Sequence, residues 1–168
     1  SAGTILHYDG ATWTEMVSGV TSTLNDVWGT DANNVFAVGS SGALLKFNGV
    51  TWSRMTSPTT SGFLDVWGVA ANNVYAAGES GTVIRFDGSA WTKMDTRTSA
   101  TFHGLWGSST SNIFAVGYGG AIRHFDGTAW TSMNSGIATS FNGIWVASPT
   151  EAFAVGSAGK IARFDGSK

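Results

Sequence analysis

The sequence is dominated by an internal repeat with a period of 39, which runs without insertion or deletion. Two tryptophan columns, one glycine column and one methionine column return at this interval. They are Trp28, Trp67, Trp106 and Trp145; Trp13, Trp52, Trp91 and Trp130; Gly39, Gly78, Gly117 and Gly156; and Met16, Met55, Met94 and Met133. Such regularity predicts units that all pack against their neighbours in the same way.

Each unit contains four short segments that have strand composition. In the first complete unit these are residues 24–28, 35–38, 43–47 and 51–55, which are rich in Val, Phe and Trp and bounded by Gly, Asn and Ser. The Asn48-Gly49 pair and its Asp-Gly counterparts predict two-residue type I′ hairpin turns, because both residues tolerate positive φ. No stretch has helical spacing with caps, so we expect essentially no helix.

Four antiparallel strands at this period are typical of one blade of a β-propeller. The second segment, 35–38, is apolar on both sides, which suits a sheet buried between two others. The sequence therefore predicts an all-β fold, a single propeller domain over residues 1–168. The blades are expected as a partial blade at 1–16, full blades at 24–55, 63–94 and 102–133, and a partial blade at 141–168.

The two ends of the chain carry the same part of the repeat. Residues 1–12 and 157–168 correspond, because 168 residues are four repeats of 39 plus 12. The chain thus begins with the third and fourth strands of one blade and ends with the first three of another. The simplest expectation is a composite blade that closes a four-bladed monomer and ties both ends into one sheet. The runner-up is self-association through the open terminal blades, as in an eight-bladed dimer. A five-bladed ring would need more strands than the chain provides.

Three motifs resemble the blade repeats of known propeller families. They are Val66-Trp67-Gly68, Ala115-Val116-Gly117, and the pattern Gly-x-Ile-x-x-Phe-Asp-Gly-x-x-Trp of residues 120–130. Together they resemble bacterial neuraminidase-type and photosystem II assembly-factor-type repeats over the whole chain. The sialidase Asp-box is one residue longer than 9–13, and WD-repeat signatures are missing. The resemblance implies a bacterial, extracellular or periplasmic origin, and either an engineered chain or a segment of a longer array.

Charge and composition argue against several classes of partner. The net charge is −2 and only 12% of residues are charged, so no basic surface is expected for nucleic acid. No apolar run is long enough for a membrane helix, so no membrane insertion is expected. The chain has no cysteine, which excludes disulfides and thiolate metal sites.

The residue types that catalyse reactions do not converge in the sequence. His7, His103 and His124 lack carboxylate or histidine partners at metal-ligand spacing. Residues 31–34 resemble part of a calcium loop, but the other repeats do not share it. No Gly-x-Ser-x-Gly elbow occurs, and no pair of carboxylates suited to glycoside hydrolysis can be assembled. We therefore expect no enzyme activity, no cofactor and no bound metal.

One repeated column is always basic. It contains His7, Lys46, Arg85, His124 and Arg163. One interpretation is a ring of cations for an anionic ligand. The favoured interpretation is that each side chain extends over its blade and pairs with a local carboxylate or carbonyl, for which the nearby turn aspartates are candidates.

The repeats differ mainly in two sets of loops, which propellers place on one face. The loops from the fourth strand to the next first strand are 17–23, 56–62, 95–101 and 134–140. Together with the turns between strands two and three and the entry of the first strands, they predict a ligand-binding site on this face at Asn25, Glu79, His103, Tyr118 and Asn142. Two function classes remain open, a scaffold for a protein or peptide and a lectin-like module for a glycan. A third alternative is an engineered or evolutionary-model propeller without a selected ligand.

Overall fold

A computed structural model describes residues 3–167, which form seventeen strands in five antiparallel sheets. The first sheet pairs β1 (Ile5–Tyr8) with β2 (Trp13–Met16). Three four-stranded sheets and one three-stranded sheet follow along the chain. Their strands are β3 (Leu24–Asp31), β4 (Asn34–Gly39), β5 (Ala43–Phe47) and β6 (Trp52–Arg54); β7 (Phe63–Ala70), β8 (Asn73–Gly78), β9 (Val83–Phe86) and β10 (Trp91–Met94); β11 (Phe102–Ser109), β12 (Asn112–Gly117), β13 (Ile122–Phe125) and β14 (Trp130–Met133); and β15 (Phe141–Ser148), β16 (Glu151–Gly156) and β17 (Ile161–Phe164).

Every sheet is a meander in which consecutive strands pair, as the repeat predicted. The first strand of each complete blade is longer than expected. Strand β3, for example, reaches Asp31 because two register shifts, at 24–26 and 29–31, let it bend while it stays paired with β4. No helix within residues 3–167 is long and apolar enough to cross a bilayer.

The turn between the second and third strands is a single turn of 3-10 helix in each blade where both strands are present. It spans 40–42, 79–81, 118–120 and 157–159. Its last residue is glycine with positive φ, and a Cβ at Gly81 would overlap the carbonyl oxygen of Thr98. Glycine is therefore required there, because the turn packs directly on the next loop.

The turn between the third and fourth strands differs from the predicted type I′ hairpin. It is a four-residue loop in which glycine has positive φ but the preceding Asp or Asn does not. In the second blade Asp87 Oδ1 accepts hydrogen bonds from the N–H groups of Ser89 and Ala90, at 2.8 and 2.9 Å. These bonds lower the pKa of Asp87 to about 2. The side chain, rather than a second positive φ, closes the turn.

The hydrophobic core lies between successive blades, not within one. We call the side of a blade that contacts the following blade its forward face, and the opposite side its backward face. The forward side chains Phe36 and Val38 pack on Val66 and Trp91 of the next blade. The indole of Trp28 lies over Gly68, and that of Trp67 lies over Gly107, where a Cβ would be only 2.7 Å from each ring. Small glycines on the backward face thus make room for the tryptophans of the preceding blade.

The two end sheets do not join within the described chain. The β1–β2 and β15–β17 sheets remain separate, so the composite blade expected for a four-bladed monomer is not formed. Trp145 on the last forward face is 52% exposed, whereas its counterpart Trp67 is 6% exposed. The chain is an open row of blades with uncovered faces at both ends.

Candidate functional site on the loop face

The two variable sets of connections lie against each other, as the sequence predicted. In four blades the first residue of the turn between strands two and three donates its N–H to a carbonyl of the loop that enters the first strand of a blade. These bonds join Ser40 to Thr23, Glu79 to Gly62, Tyr118 to Thr101 and Ser157 to Ser140, each at 2.9 Å. We call the surface made by these turns and loops the loop face. Because the same backbone bond recurs, the side chains at the turns are held on equivalent scaffolds.

Glu79 and Tyr118 occupy the same position in consecutive turns. The carboxylate of Glu79 accepts a hydrogen bond from the N–H of Gly62, at 2.8 Å, so this acid braces its own loop. Tyr118 is 68% exposed and projects from a turn with two glycines, 119 and 120. The large aromatic surface of Tyr118 is therefore available to a ligand.

The other three predicted site residues form a column near the start of the first strands. Asn25 donates from Nδ2 to the carbonyl of Phe63, at 2.7 Å, and His103 Nδ1 lies 3.1 Å from the carbonyl of Phe141. Both contacts reach the next blade. Asn142 is the equivalent residue on the last blade and is exposed. Asn25 and His103 thus hold blades together, a role that the sequence reasoning did not assign to them.

The fold brings four of these five residues into two neighbouring sets. The turn 79–81 lies against β11, which carries His103, and the turn 118–120 lies against β15, which carries Asn142. Asn25 lies on β3, one blade before Glu79. The predicted residues therefore follow consecutive blade junctions along the loop face, and do not meet in one pocket.

A pair of carboxyl groups on the first strands was missed by the sequence reasoning. Asp26 Oδ2 accepts from the N–H of Val66, at 2.8 Å, and Asp65 Oδ2 accepts from that of Leu105, at 2.6 Å. Burial, a hydrogen bond that protonated Asp65 donates to Asp26, and the negative charge of Asp26 raise the pKa of Asp65 to about 8. The signal in the sequence was a pair of aspartates one repeat apart, each next to the Val-Trp-Gly motif of a first strand.

The acid pair acts as a clamp between blades. Each carboxyl group reaches from one first strand to the backbone of the next, and the raised pKa of Asp65 keeps that carboxyl group protonated near neutral pH. In the third and last blades the equivalent positions are Gly104 and Gly143, so the clamp is confined to the first two junctions. The described residues bring no three His, Asp or Glu side chains close enough to hold a metal ion.

Three members of the basic column pair within their own blades, as the favoured interpretation predicted, but the turn aspartates are not their hydrogen-bond partners. Each of the three pairs with the residue at the start of the second strand, twelve positions earlier. These pairs are Arg85 with Asn73 at 3.2 Å, His124 with Asn112 at 2.9 Å, and Arg163 with Glu151 at 2.9 Å. The ammonium of Lys46 lies 5.4 Å from the ring centre of Phe36. Burial lowers the pKa of His124, which favours a neutral ring.

No protein-family model matches the sequence, and neither does any curated protein. Solved structures do match in shape. YCF48 bound to D1 peptide superposes with a TM-score of 0.72 and 16% identity over 92% of this chain and 55% of that chain. The fold is a β-propeller. The designed protein Ika4 gives 0.71 and 13% over 86% and 91%, and the WD40 propeller domain of Doa1 gives 0.73 and 10% over 100% and 62%.

These similarities place the chain among propellers without singling out one family. The described chain spans about half to two-thirds of the length of the YCF48 chains that it matches. The matched structures include a photosystem II assembly factor, as the repeat motifs suggested. The neuraminidase-type resemblance receives no separate support from them.

Proposed function

We propose that this chain is a non-enzymatic propeller scaffold that binds a protein or peptide through the loop face. The observation that carries the proposal is the contrast between uniform cores and different side chains on identical turns. One turn position holds Ser40, Glu79, Tyr118 and Ser157 on the same backbone bond. A rigid frame that presents varied side chains suits recognition, since loops on a rigid scaffold commonly carry binding.

An exposed tyrosine makes a protein or peptide the best-supported class of ligand. Tyr118 offers a large amphipathic ring, and tyrosine is enriched among residues that contribute most to protein interfaces. YCF48, with a similar fold, has been solved with a bound peptide, which supports the same class of partner here. A lectin with one sugar pocket per blade would repeat an aromatic platform, whereas the equivalent turns carry Ser or Glu.

A peptide-library selection tests this proposal. A library of random peptides is selected on the wild-type chain, and the enriched peptides are measured against Tyr118→Ser and Val50→Ser. Each substitution introduces the residue that another blade has at that position, Ser157 or Ser89, so neither should change the melting temperature. Val50 is exposed in a turn between the third and fourth strands, outside the loop face.

The proposal predicts peptides that bind wild type and Val50→Ser equally and lose at least tenfold in affinity for Tyr118→Ser. Equal binding to all three proteins would place recognition elsewhere and contradict the proposal. Binding on a glycan array, with no peptide enriched, would instead support the lectin-like alternative.

A further inference from the structure

The uncovered face at one end of the blade row is complementary to the uncovered face at the other end. The forward face of the last blade presents Trp145 and Val155, and both are exposed. Their counterparts Trp67 and Val116 are buried, and Trp106, in the same column as Trp145, is less exposed, at 37% against 52%. At the other end, Val27 on the backward face of the first complete blade is exposed, whereas its counterpart Val66 is buried. Apolar side chains that are core elsewhere in the same chain are therefore left in solvent.

A tryptophan and a glycine slot are also left unmatched. At the first two junctions between complete blades, a forward tryptophan lies over a backward glycine, Gly68 or Gly107. Gly29 is the equivalent slot on the first complete blade, and only its own blade's residues 34 and 35 come within 3.2 Å of a Cβ built there. Trp145 is the forward tryptophan of the last blade in residues 3–167. The ring of Trp145 and the slot at Gly29 thus form a complementary pair.

A second complementary pair lies at the position of the first strands whose side chains bond to the next blade. Asn25 and His103 each reach the carbonyl of the first residue in the next blade's first strand. Asn142 stands in the same column on the last blade. The carbonyl that corresponds to those of Phe63 and Phe141 belongs to Leu24. An Asn142 amide laid against Leu24 would repeat the Asn25 contact.

Two apolar cavities mark the missing strands. One, of about 350 Å³, is lined by Phe114, Met133 and Phe164, where the last sheet lacks a fourth strand. The exposed Trp13 on β2 is the tryptophan that belongs to that strand position. The other, of about 390 Å³, is lined by Ile5 and Val27, where the first sheet lacks its two inner strands. Each end carries the strands that the other end lacks.

The strands of two chains complete each other. In each chain three blades are complete, and each end sheet has the strand positions that the other end sheet lacks. Two copies, each with three complete blades and half of each shared blade, supply eight blades, within the usual range for propellers.

We infer that the open ends of the 168-residue chain are covered by a second copy, which forms a closed ring of two chains. The last sheet of each copy and the β1–β2 hairpin of the other form one blade, which keeps one of the equivalent third strands β1 and β17. Trp145 enters the Gly29 slot, and Val155 packs on Val27 as Val38 packs near Val66 inside the chain. The two junctions are identical and head-to-tail, and in a ring of two copies both end faces of each chain are covered.

Light scattering coupled to gel filtration tests the inference on the full chain. One chain has a mass of 17.5 kDa, and the ring is expected at twice that value. The mass of a single chain at every concentration up to the solubility limit would overturn the inference. A series of masses larger than two chains would also overturn it, because a closed ring has no free face on which to add further copies.

Two charge variants test whether the junction is head-to-tail. Val155→Glu alters only forward faces and Val27→Lys alters only backward faces, so each variant alone should run at the mass of one chain. A ring with one copy of each variant has one native junction, where Val155 meets Val27, and one junction where the introduced Glu meets the introduced Lys. We therefore expect the mass of two chains from the mixture. Val50→Glu adds a charge away from both faces and should leave the two-chain mass unchanged.

A mixture that stays at the mass of one chain, or single variants that still form two-chain species, would overturn this junction. The inference is independent of the proposed ligand site. The Tyr118→Ser comparison reports on peptide binding whether or not the ring forms, so failure of one does not imply failure of the other.

Discussion

Equivalent tryptophans with different neighbours allow the stabilisation between blades to be measured directly. Trp67 and Trp145 occupy the same repeat column, and each stacks on the second-strand aromatic of its own blade at a similar ring distance, 6.3 and 6.5 Å. They differ in what lies on the other side, since Trp67 covers Gly107 and Trp145 faces solvent. The alanine variants Trp67→Ala and Trp145→Ala should therefore differ by the contact between blades. Both are made in the Val155→Glu background, in which the chain is expected to be a monomer.

The expected difference follows from exposure. Trp67 is 6% exposed and Trp145 is 52% exposed, so they differ by 46 percentage points. A large aromatic side chain buries about 150–250 Å², and 46% of that is about 70–115 Å². At about 25 cal/mol per Å², Trp67→Ala should cost about 2–3 kcal/mol more than Trp145→Ala. The total cost of Trp67→Ala should be about 3–5 kcal/mol, as for other large buried aromatics.

Urea unfolding followed by far-UV circular dichroism gives the free energy of unfolding of each variant. The m-value is compared between variants to check that the same surface unfolds. Costs that agree within about 0.5 kcal/mol would refute the reasoning, because they would mean that Trp145 is covered as well as Trp67. A cost below about 1 kcal/mol for Trp67→Ala would show that the tryptophan column is not core.

Two further predictions concern the clamp between blades and the close packing around a glycine within one blade. The pKa of Asp65 is above its ordinary value, so between pH 5 and 8 the folded chain holds a proton that the unfolded chain releases. The free energy of unfolding should therefore fall as the pH rises from 5 to 8, by up to about 1.4 kcal/mol per pH unit. Asp65→Asn keeps a donor and an acceptor but does not titrate, so its urea midpoint should vary less over this range. Equal pH dependence in both proteins would contradict the raised pKa of Asp65. A Cβ at Gly78 would overlap the carbonyl oxygen of Gly62, so Gly78→Ala should lower stability by about 1–3 kcal/mol. Gly143→Ala meets only Val155 Cγ2, at 3.7 Å, and should melt within a few degrees of wild type; equal losses in the two glycine variants would disprove the steric argument.

The blade could be predicted from the sequence because the repeat sets the strand pattern. Tryptophans and glycines one repeat apart marked strands, turns and the tandem order, and strand β5 has the predicted bounds. The backbone shape of the Asp-Gly turns could not be predicted in the same way. The pair is compatible with a two-residue turn, and only the hydrogen bonds from two backbone N–H groups to Asp87 select the four-residue loop.

The candidate site was only partly accessible from sequence. Tyr118 and Glu79 could be selected because they vary on a frame of turns that is otherwise the same in each repeat. The roles of Asn25 and Asp26 could not be predicted from the sequence. Each side chain bonds to a backbone group about one repeat away, and such partners depend on how the blades stack. Ring closure likewise depends on the angle between blades, which the repeat length does not encode.

The most direct test of the open blade row is hydrogen–deuterium exchange of the monomeric Val155→Glu chain, followed by peptide-level mass spectrometry. Amides of β8 and β12, which are buried between neighbouring blades, should exchange slowest. Those of the end strands β1, β2 and β17 should exchange at least tenfold faster. Equal protection of β1, β17 and the central strands in the monomer would contradict the account, because it would mean that one chain closes its own ring.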